Sequence, residues 1–430
     1  MRSSRGVCPN RRLADDFCKF AGGISIFLRS APGEDGFMLT NIAYVLLLGL
    51  GLGALARLVR LPPLVGMLAA GILLGPCVLN LLSPQLLGIS ADLRQLALII
   101  ILARAGLSLE ADDLRRAGRP AVLMCFVPAS FEVLGMVVLA PRLLGVSLLD
   151  AAIMGAVVGA VSPAVIVPRM LKLMSEGYGT EKGIPQMVLA GASVDDVFVI
   201  VLFTSFTAMA QGGSFSVSAL AGVPVSIVLG AVLGLAVGFL LAKFFAALHM
   251  RDSVKVVILL SVAFLLVALE DAVEAWVPFS GLLAVLGMGL GLRRWRLPVA
   301  ERLTAKFGKL WVWAEVMLFV LVGAEVDLNY AAAGLAAVAT VLGVLCFRAL
   351  GVLLCVAGSK LTKKERLFAV LAYLPKATVQ AAIGGVPLAM GLSCGQVVLT
   401  VAVIAILVTA PLGALAIDAS YKKLLERAAD

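Results

Sequence analysis

Long apolar runs, separated by short polar segments, repeat along almost the whole chain. A helix needs about 20 predominantly apolar residues to cross a lipid bilayer. The runs are continuous rather than alternating, which excludes a transmembrane β-barrel. We therefore predict an all-α polytopic membrane protein with about thirteen spans, centred on residues 38–58, 62–82, 90–107, 119–140, 148–171, 185–209, 217–241, 253–271, 278–292, 307–326, 331–358, 366–389 and 395–419.

The composition agrees with a membrane protein. Of the 430 residues, 61% are hydrophobic and 14% are charged, whereas soluble domains average about 45–50% apolar and about 25% charged residues. The net charge of +9 does not indicate a nucleic-acid partner, because the basic residues are distributed among the loops between the spans. Little of the chain remains for a soluble domain.

The basic residues also predict topology. If the first span enters from outside, the odd-numbered loops carry nearly all the lysines and arginines, including "RRWR" at residues 293–296. Loops of this kind face the cytoplasm. We therefore expect a transmembrane domain over residues 38–419 and a short cytoplasmic tail over residues 420–430. Residues 1–37 would be external despite six basic residues, and we expect them to form a disordered tail.

Other classes of chemistry receive no support from the residues. The seven cysteines are scattered, and no two have the spacing of a metal site. The chain has no nucleophile–base constellation and no phosphate-binding loop. A glycine run at residues 49–53 follows no strand, so we expect it to allow close helix packing. We therefore expect neither an enzyme nor a bound cofactor.

Two predicted spans carry a proline beside small or polar residues near their centres. The first, "GAVVGAVSPAVIVPRML", contains Ser162, and the second, "FAVLAYLPKATVQAAIG", contains Lys376 and Thr378. Proline removes a backbone donor and clashes with the preceding turn. Opened backbone is tolerated in a membrane only beside a cavity or other protein. We predict two broken helices.

The surroundings of the two broken helices repeat as well. Each follows a span with one unexpected charge, Glu132 in the first case and Arg348 in the second. An odd number of spans separates the copies, so they insert in opposite senses, as in the inverted repeats of secondary transporters. Charges of opposite sign on mirrored helices are plausible partners. Arg104 and Glu325, nearer to helix ends, are also expected to form salt bridges.

Two adjacent carboxylates, Asp195 and Asp196, lie in the middle of the apolar segment 185–209. A charge at the bilayer centre costs roughly 2.5–3.5 kcal/mol. Adjacent helical residues point about 100° apart, so one cation cannot easily neutralise both, and the pair should titrate as a unit. Carboxylate, carbonyl and hydroxyl oxygens are the ligands of small hard cations. We predict a site that holds either a proton or a cation, with Ser162 and Thr378 completing the shell.

Several of these segments carry a family likeness. "LARAGLSL", "GAVVGAVSPAVIVPRMLKL", "EKGIPQMVLAGASVDDVFVI", "LVGAEV" and "LPKATVQAAIG" closely resemble the NHA-type branch of the monovalent cation/proton antiporters, over about residues 40–418. The resemblance implies a NhaA-like fold and a homodimer. It implies core helices at about 90–209 and 307–419, with two broken helices that cross at the ion site, and dimerisation helices at about 38–82 and 217–292.

The resemblance also implies roles for the candidate residues. Asp196 would be the principal carboxylate for Na⁺ and the proton. Asp195 would help to bind or position the ion. Ser162 and Thr378 would lie at the two breaks. No resident metal or cofactor is implied, because Na⁺ (or Li⁺) and H⁺ are the transported substrates.

The remaining charges bear on coupling. Glu132 and Arg348 match the acid and the arginine that this branch carries beside the site, and Lys376 would offset the negative ends of the half-helices. In electrogenic relatives with the paired aspartates, a lysine occupies the helix comparable to that of Arg348. Since arginine effectively never deprotonates, we expect electroneutral exchange.

The leading functional hypothesis is a Na⁺ (or Li⁺)/H⁺ antiporter of a bacterial inner membrane that serves pH homeostasis. The nearest alternative is a K⁺/H⁺ antiporter. A second alternative is a solute symporter of the bile-acid-transporter type, although two adjacent carboxylates would repel an anionic solute. A passive channel is a third, but titratable carboxylates between broken helices favour alternating access.

Overall fold

The computed structural model describes residues 38–59, 61–108, 118–211, 217–273, 279–326 and 334–427. The predicted N-terminal tail over residues 1–37 lies outside the described residues. Helix is the regular secondary structure of the described residues, apart from one isolated β-bridge between Tyr178 and Arg427.

The helices follow one another with short connections. In chain order they are α1 (Met38–Leu58), α2 (Pro63–Leu74), α3 (Pro84–Gly88), α4 (Ser90–Ser108), α5 (Gly118–Met124), α6 (Val127–Leu144), α7 (Leu148–Gly159), α8 (Pro163–Ser175), α9 (Ile184–Gln211), α10 (Val217–Ala247), α11 (Asp252–Val273), α12 (Gly281–Trp295), α13 (Leu297–Ala324), α14 (Gly334–Cys355), α15 (Lys363–Ala372), α16 (Thr378–Ile383), α17 (Val386–Ala389) and α18 (Gly395–Leu424).

The all-α membrane fold is confirmed. Within the described ranges, nine helical stretches are long and apolar enough to cross a membrane, and the pairs α5–α6 and α7–α8 each count as one stretch. Each of the thirteen predicted segments contains helix in the structure. The count of thirteen spans stays a prediction, because several of the other segments hold shorter or more polar helices.

The first predicted break lies between α7 and α8. Helix α7 ends at Gly159, and the backbone is extended at Ala160 and Ser162. Helix α8 then begins at Pro163. Proline suits the first position of a helix, because the N–H that it lacks would have no helical partner there. The proline that interrupts the span therefore also starts its second half.

The second predicted break lies between α15 and α16. Helix α15 ends at Ala372, residues 373–377 are not helical, and α16 begins at Thr378. Pro375 lies within this opening, and the residue before a proline is driven away from helical geometry. The two openings therefore occur where the proline pattern predicts them.

A third break was not predicted from the sequence. The span over residues 118–144 opens at Cys125 and Phe126, between α5 and α6. Pro128 then lies in the first turn of α6, where its missing N–H leaves no helical bond unmade. The opening frees the carbonyl of Met124, which accepts a hydrogen bond of 2.9 Å from the hydroxyl of Tyr373.

The helices pack in two groups. Helices α2, α4, α12 and α13 have extensive mutual contacts, with α1 against α2 and α10 against α12. The other group contains the broken helices with α6, α9, α14 and α18. Helices α4 and α13, which the predicted division assigned to the core, have their most extensive contacts with each other, α2 and α12. The division into core and dimerisation helices stays a prediction.

Glycines allow several helix pairs in the first group to approach closely. A Cβ atom at Gly71 of α2 would lie 2.8 Å from the Cα of Gly323 of α13. The glycine run for which close packing was predicted also lies at a helix contact, since a Cβ at Gly49 would lie 2.6 Å from Val316 Cγ1. Such small-residue contacts supply van der Waals packing where lipid provides no hydrophobic drive.

We expect Gly71→Val to destabilise the protein by about 1–3 kcal/mol, because the added methyl groups force α2 away from α13. The matched control is Gly88→Val, since no atom lies within 4 Å of a Cβ placed there. Thermal unfolding midpoints in detergent measure both effects. Equal midpoints for the two variants would contradict this account of the α2–α13 contact.

Candidate functional site

Helix α9 places Asp195 against the first break. The Asp195 side chain is fully buried. Its Oδ2 accepts a hydrogen bond of 2.9 Å from the backbone N–H of Val161 and one of 3.0 Å from Nη2 of Arg348. The N–H of Val161 is available because the helix opens at this residue. Asp195 is therefore held by one backbone donor and one cation.

Asp196 has a different environment. Its Oδ1 is buried and has no hydrogen-bond partner among the described residues, and no described cation forms an ion pair with it. The two adjacent carboxylates thus differ as the helical angle between them requires. Asp195 faces Arg348, and Asp196 keeps an oxygen free.

Arg348 joins four other elements. Its Nη1 donates to Glu132 Oε2 at 2.5 Å and to the carbonyl of Gly159, and its Nε donates to the carbonyl of Tyr373 at 2.6 Å. With the bond to Asp195, the guanidinium contacts α6, α7, α9 and the end of α15. Gly159 and Tyr373 terminate the first halves of the two broken helices, where helix dipoles concentrate partial negative charge.

Lys376 lies in the second break and turns toward the same carboxylate. Its Nζ donates to Glu132 Oε2 at 2.5 Å, and its backbone N–H donates to Thr409 Oγ1 at 2.9 Å. The expected pair of Glu132 and Arg348 is therefore present, with Lys376 as a third member. Direct bonds to the half-helix ends come from Arg348 rather than from Lys376.

The two breaks are fastened to each other. The N–H of Ser162 donates to the carbonyl of Pro375 at 2.8 Å. Gln380 of α16 reaches back to the end of α7, where its Nε2 donates to the carbonyls of Val158 at 3.2 Å and Ala160 at 2.8 Å. The broken helices therefore cross in contact, and the unwound backbone of each is partly satisfied by the other.

Unpartnered oxygens concentrate around this crossing. Buried polar atoms nearly always have a hydrogen-bond partner, so a cluster of exceptions needs an explanation. Carboxylate, hydroxyl and amide oxygens of this kind are the ligands that a small hard cation prefers. Among the described residues, the exceptions around the crossing include Glu132 Oε1, Ser162 Oγ, Asp195 Oδ1, Asp196 Oδ1, Thr378 Oγ1 and Gln380 Oε1.

The formal charge of the cluster is unbalanced. Its three carboxylates are Glu132, Asp195 and Asp196, and its two cations are Arg348 and Lys376. With all five groups ionised, the net charge is −1. An uncompensated charge in a low-dielectric interior is costly, so the cluster favours the uptake of one positive charge.

A cleft leads from the protein surface toward the crossing. It has a volume of about 770 Å³ and lies between α1, α2 and α13 on one side and α8 and α18 on the other. Its charged lining residues are Arg57, Arg169, Glu315 and Asp418, and it reaches Ala164, two residues beyond Ser162. By the predicted topology this cleft opens to the cytoplasm.

An ion pair joins the other end of α13 to the start of α4. Glu325 lies 2.7 Å from Nη1 of Arg94, an ion pair without hydrogen-bond alignment. Glu325 thus forms the expected salt bridge, although its partner Arg94 lies at the start of α4. Arg104, for which a salt bridge was also expected, interacts electrostatically with Glu315.

The loop after α8 is tied to the start of α15. Lys182 Nζ lies 2.9 Å from Glu365 Oε1 and 3.2 Å from Glu426 Oε2. The hydrogen bond to Glu365 raises the pKa of Lys182. Burial alone would raise the pKa of Glu365, but hydrogen bonds from Lys182 and from Thr362 together lower it. The ion pair therefore links the two broken-helix segments outside the membrane.

Comparison with known proteins decides the family. The family described as sodium/hydrogen exchanger, transmembrane, matches residues 42–419. This chain belongs to the sodium/hydrogen exchanger family. The exchanger is 37% identical over 419 residues to human sodium/hydrogen exchanger 9B2, a match that covers 92% of this chain and 76% of the relative. It is 32% identical over 425 residues to human sodium/hydrogen exchanger 9B1, again over 92% of this chain.

A solved structure shares the fold of the exchanger. The sodium proton antiporter MjNhaP1 from Methanocaldococcus jannaschii superposes with a TM-score of 0.78 and 21% identity, over 90% of this chain and 98% of that one. The relatives are ion exchangers, which agrees with the expectation that this protein is not an enzyme.

Of the residues that surround the crossing, Gln380 was missed by sequence reasoning. Its signal was a single amide within "PKATVQAAIG", and an amide in an apolar helix does not by itself indicate which backbone it will reach. The two aspartates, Ser162 and Thr378 do lie around one crossing, as the sequence predicted. Their roles in ion binding remain proposals.

We expect Glu365→Gln to lower the free energy of unfolding at pH 7. Because folding lowers the pKa of Glu365 from its ordinary value of 4.5, its stabilisation is present above that value and is lost as the pH falls through the lowered pKa. The difference in thermal midpoint between variant and wild type should therefore shrink in acid.

The control for this prediction is Glu426→Gln, which removes the more exposed partner of the same lysine and should have little effect. A Glu365→Gln variant as stable as wild type at pH 7 would show that the ion pair does not support the fold.

Proposed function

We propose that this exchanger carries Na⁺ (or Li⁺) and H⁺ in opposite directions through a single site at Asp196, one cation for one proton, by alternating access. The observation that carries the proposal is the inequality of the two aspartates. Asp195 is held by Arg348 and Val161, whereas Asp196 keeps a buried oxygen without a partner among the described residues. The carboxylate that lacks a fixed partner is the one free to exchange partners.

Oxygens around the crossing could form the coordination shell. Ser162 Oγ and Thr378 Oγ1 have no hydrogen-bond partner among the described residues, and the same holds for Oδ1 of Asp195. Together with Asp196 they would supply the neutral and anionic oxygens that Na⁺ prefers. Na⁺ is the transported substrate here, so the protein needs only a transient shell rather than a permanent metal site.

The charge balance supports one-for-one exchange. The buried cluster has a formal charge of −1, so either one proton or one Na⁺ neutralises it. Arg348 does not release a proton at accessible pH. Lys376 is held by Glu132 at 2.5 Å. The site would then have the same net charge with Na⁺ bound as with a proton bound. The exchange of one for the other would be electroneutral.

Alternating access has its support in the cleft between the two groups of helices. The 770 Å³ cleft separates α1, α2 and α13 from α8 and α18 on the predicted cytoplasmic side. Movement of the crossing helices against α2, α4, α12 and α13 would close the cleft and open the other side.

The expected setting is a homodimer in a bacterial inner membrane, with the C-terminus in the cytoplasm. The distribution of basic residues supports that orientation. Exposed leucines on α1, among them Leu47, Leu50 and Leu55, leave an apolar face for lipid or a second subunit. In this setting inward proton flow would expel Na⁺ and contribute to pH homeostasis. The net negative cluster argues against an anionic solute.

We expect Asp196→Asn to abolish exchange, because the amide keeps the shape but can bind neither a proton nor a cation as a carboxylate does. Purified protein in liposomes would be assayed for proton flux driven by Na⁺, Li⁺ and K⁺ in turn. The variant should fall to the rate of protein-free liposomes for every cation, while size-exclusion chromatography reports an unchanged oligomer.

The matched control is Asp252→Asn, the same chemical change at the start of α11, where the carboxylate pairs with Arg302 at 2.9 Å. It should keep exchange. Sodium-driven flux that survives in Asp196→Asn would refute the assigned site, and wild-type flux driven by K⁺ alone would replace Na⁺ with K⁺ as the substrate.

A further inference from the structure

The side chain of Gln380 is fully buried, yet the proposed exchange does not use it. Its Nε2 donates to two carbonyls, those of Val158 at 3.2 Å and Ala160 at 2.8 Å. Because both partners are carbonyl oxygens, the nitrogen of the amide must face them, and Oε1 must point elsewhere. That Oε1 has no partner among the described residues.

The peptide unit between Ala160 and Val161 connects Gln380 to the aspartates. Its carbonyl accepts from Gln380 at 2.8 Å, and its N–H donates to Asp195 Oδ2 at 2.9 Å. A hydrogen bond to the carbonyl fixes the plane of the peptide, and it polarises the N–H on the other side. The orientation of the donor to Asp195 thus depends on an amide from the other broken helix.

We propose that Gln380 is a positioning residue of the cation site: its amide holds the Ala160–Val161 peptide toward Asp195 and thereby sets the apparent affinity for Na⁺. The inference rests on the proposed function. It adds a link between the two repeats, because Gln380 belongs to α16 and the peptide that it holds belongs to the opening between α7 and α8.

The geometry gives a reason for an amide at this position. An ionised glutamate could not donate to either carbonyl, and it would bring the cluster to a net charge of −2. An apolar side chain of similar length would donate no hydrogen bond to either carbonyl, and the orientation of the Ala160–Val161 peptide would not be fixed. Glutamine supplies two donors without adding charge, which preserves the balance between one proton and one cation.

The test uses Gln380→Met, which keeps the length of the side chain and removes both donors. Sodium-driven exchange in liposomes should show an apparent KM for Na⁺ raised about tenfold, as expected for the loss of a buried hydrogen-bonding amide, with a smaller change in maximal rate. The increase in thermal midpoint on adding Na⁺ should shrink in parallel.

Gln186→Met serves as the matched control. Gln186 lies in the first turn of α9, which belongs to the same group of helices as the broken helices. Its Oε1 also has no partner among the described residues. It precedes Asp195 by roughly 13 Å of helical rise. Its variant should keep the wild-type KM.

A third variant, Gln380→Glu, tests the charge argument. Its added carboxylate brings the cluster to a net charge of −2 and should shift the pH dependence of exchange. An unchanged pH dependence would contradict the charge count of the cluster.

The outcomes separate the two proposals. If wild-type protein shows no cation-driven proton flux, the proposed function fails. If wild type exchanges Na⁺ and Gln380→Met lowers only the maximal rate or the yield, with KM and the Na⁺-dependent thermal shift unchanged, Gln380 is merely structural and the inference is overturned. A raised KM in Gln186→Met as well would also overturn it, since the effect would not be specific to the crossing.

Discussion

The arrangement of the crossing depends on the hydrogen bonds and ion pairs of the Arg348 guanidinium. It is fully buried and bonds Glu132, Asp195 and the carbonyls of Gly159 and Tyr373. Two of these acceptors are charged, and two are the negative ends of half-helices, so the planar fork of arginine satisfies charges from four elements at once. A lysine in its place would have only three donors on one nitrogen. The opened helices are stable in the membrane interior because this cation and its partners satisfy the freed backbone.

The same cation makes the two aspartates unequal. By holding Asp195, Arg348 leaves its neighbour as the carboxylate without a fixed partner, and the cluster then lacks one positive charge. Glu132 and Lys376 extend this balance into the second break. In the proposed mechanism the protein does not bind Na⁺ strongly. It maintains a fixed deficit of one charge that either a proton or Na⁺ can fill, and the buried surroundings make an unfilled site costly.

Local signals in the sequence were sufficient for part of this account. Proline acts on its own backbone, so both breaks at Pro163 and Pro375 could be predicted, and two adjacent carboxylates in an apolar run are conspicuous at any position. The break at Cys125 was missed because a proline in the first turn of a helix resembles a proline inside a span. Other features depend on which helix faces meet. These are the partner of Glu325, the backbone that Gln380 contacts, and the packing of α4 and α13 with α2 and α12. One sequence without its relatives does not contain that information.

The most direct test of the charge deficit is the number of protons released when Na⁺ binds. Calorimetric titration of the purified protein with Na⁺, in buffers of different ionisation enthalpy, gives that number independently of transport. The account predicts a value close to one at a pH where the empty site is protonated, and no heat of proton release from Asp196→Asn. A value near zero would mean that the proton and the cation do not share a site, and a value near two would mean that the cluster exchanges more charge than the single deficit allows.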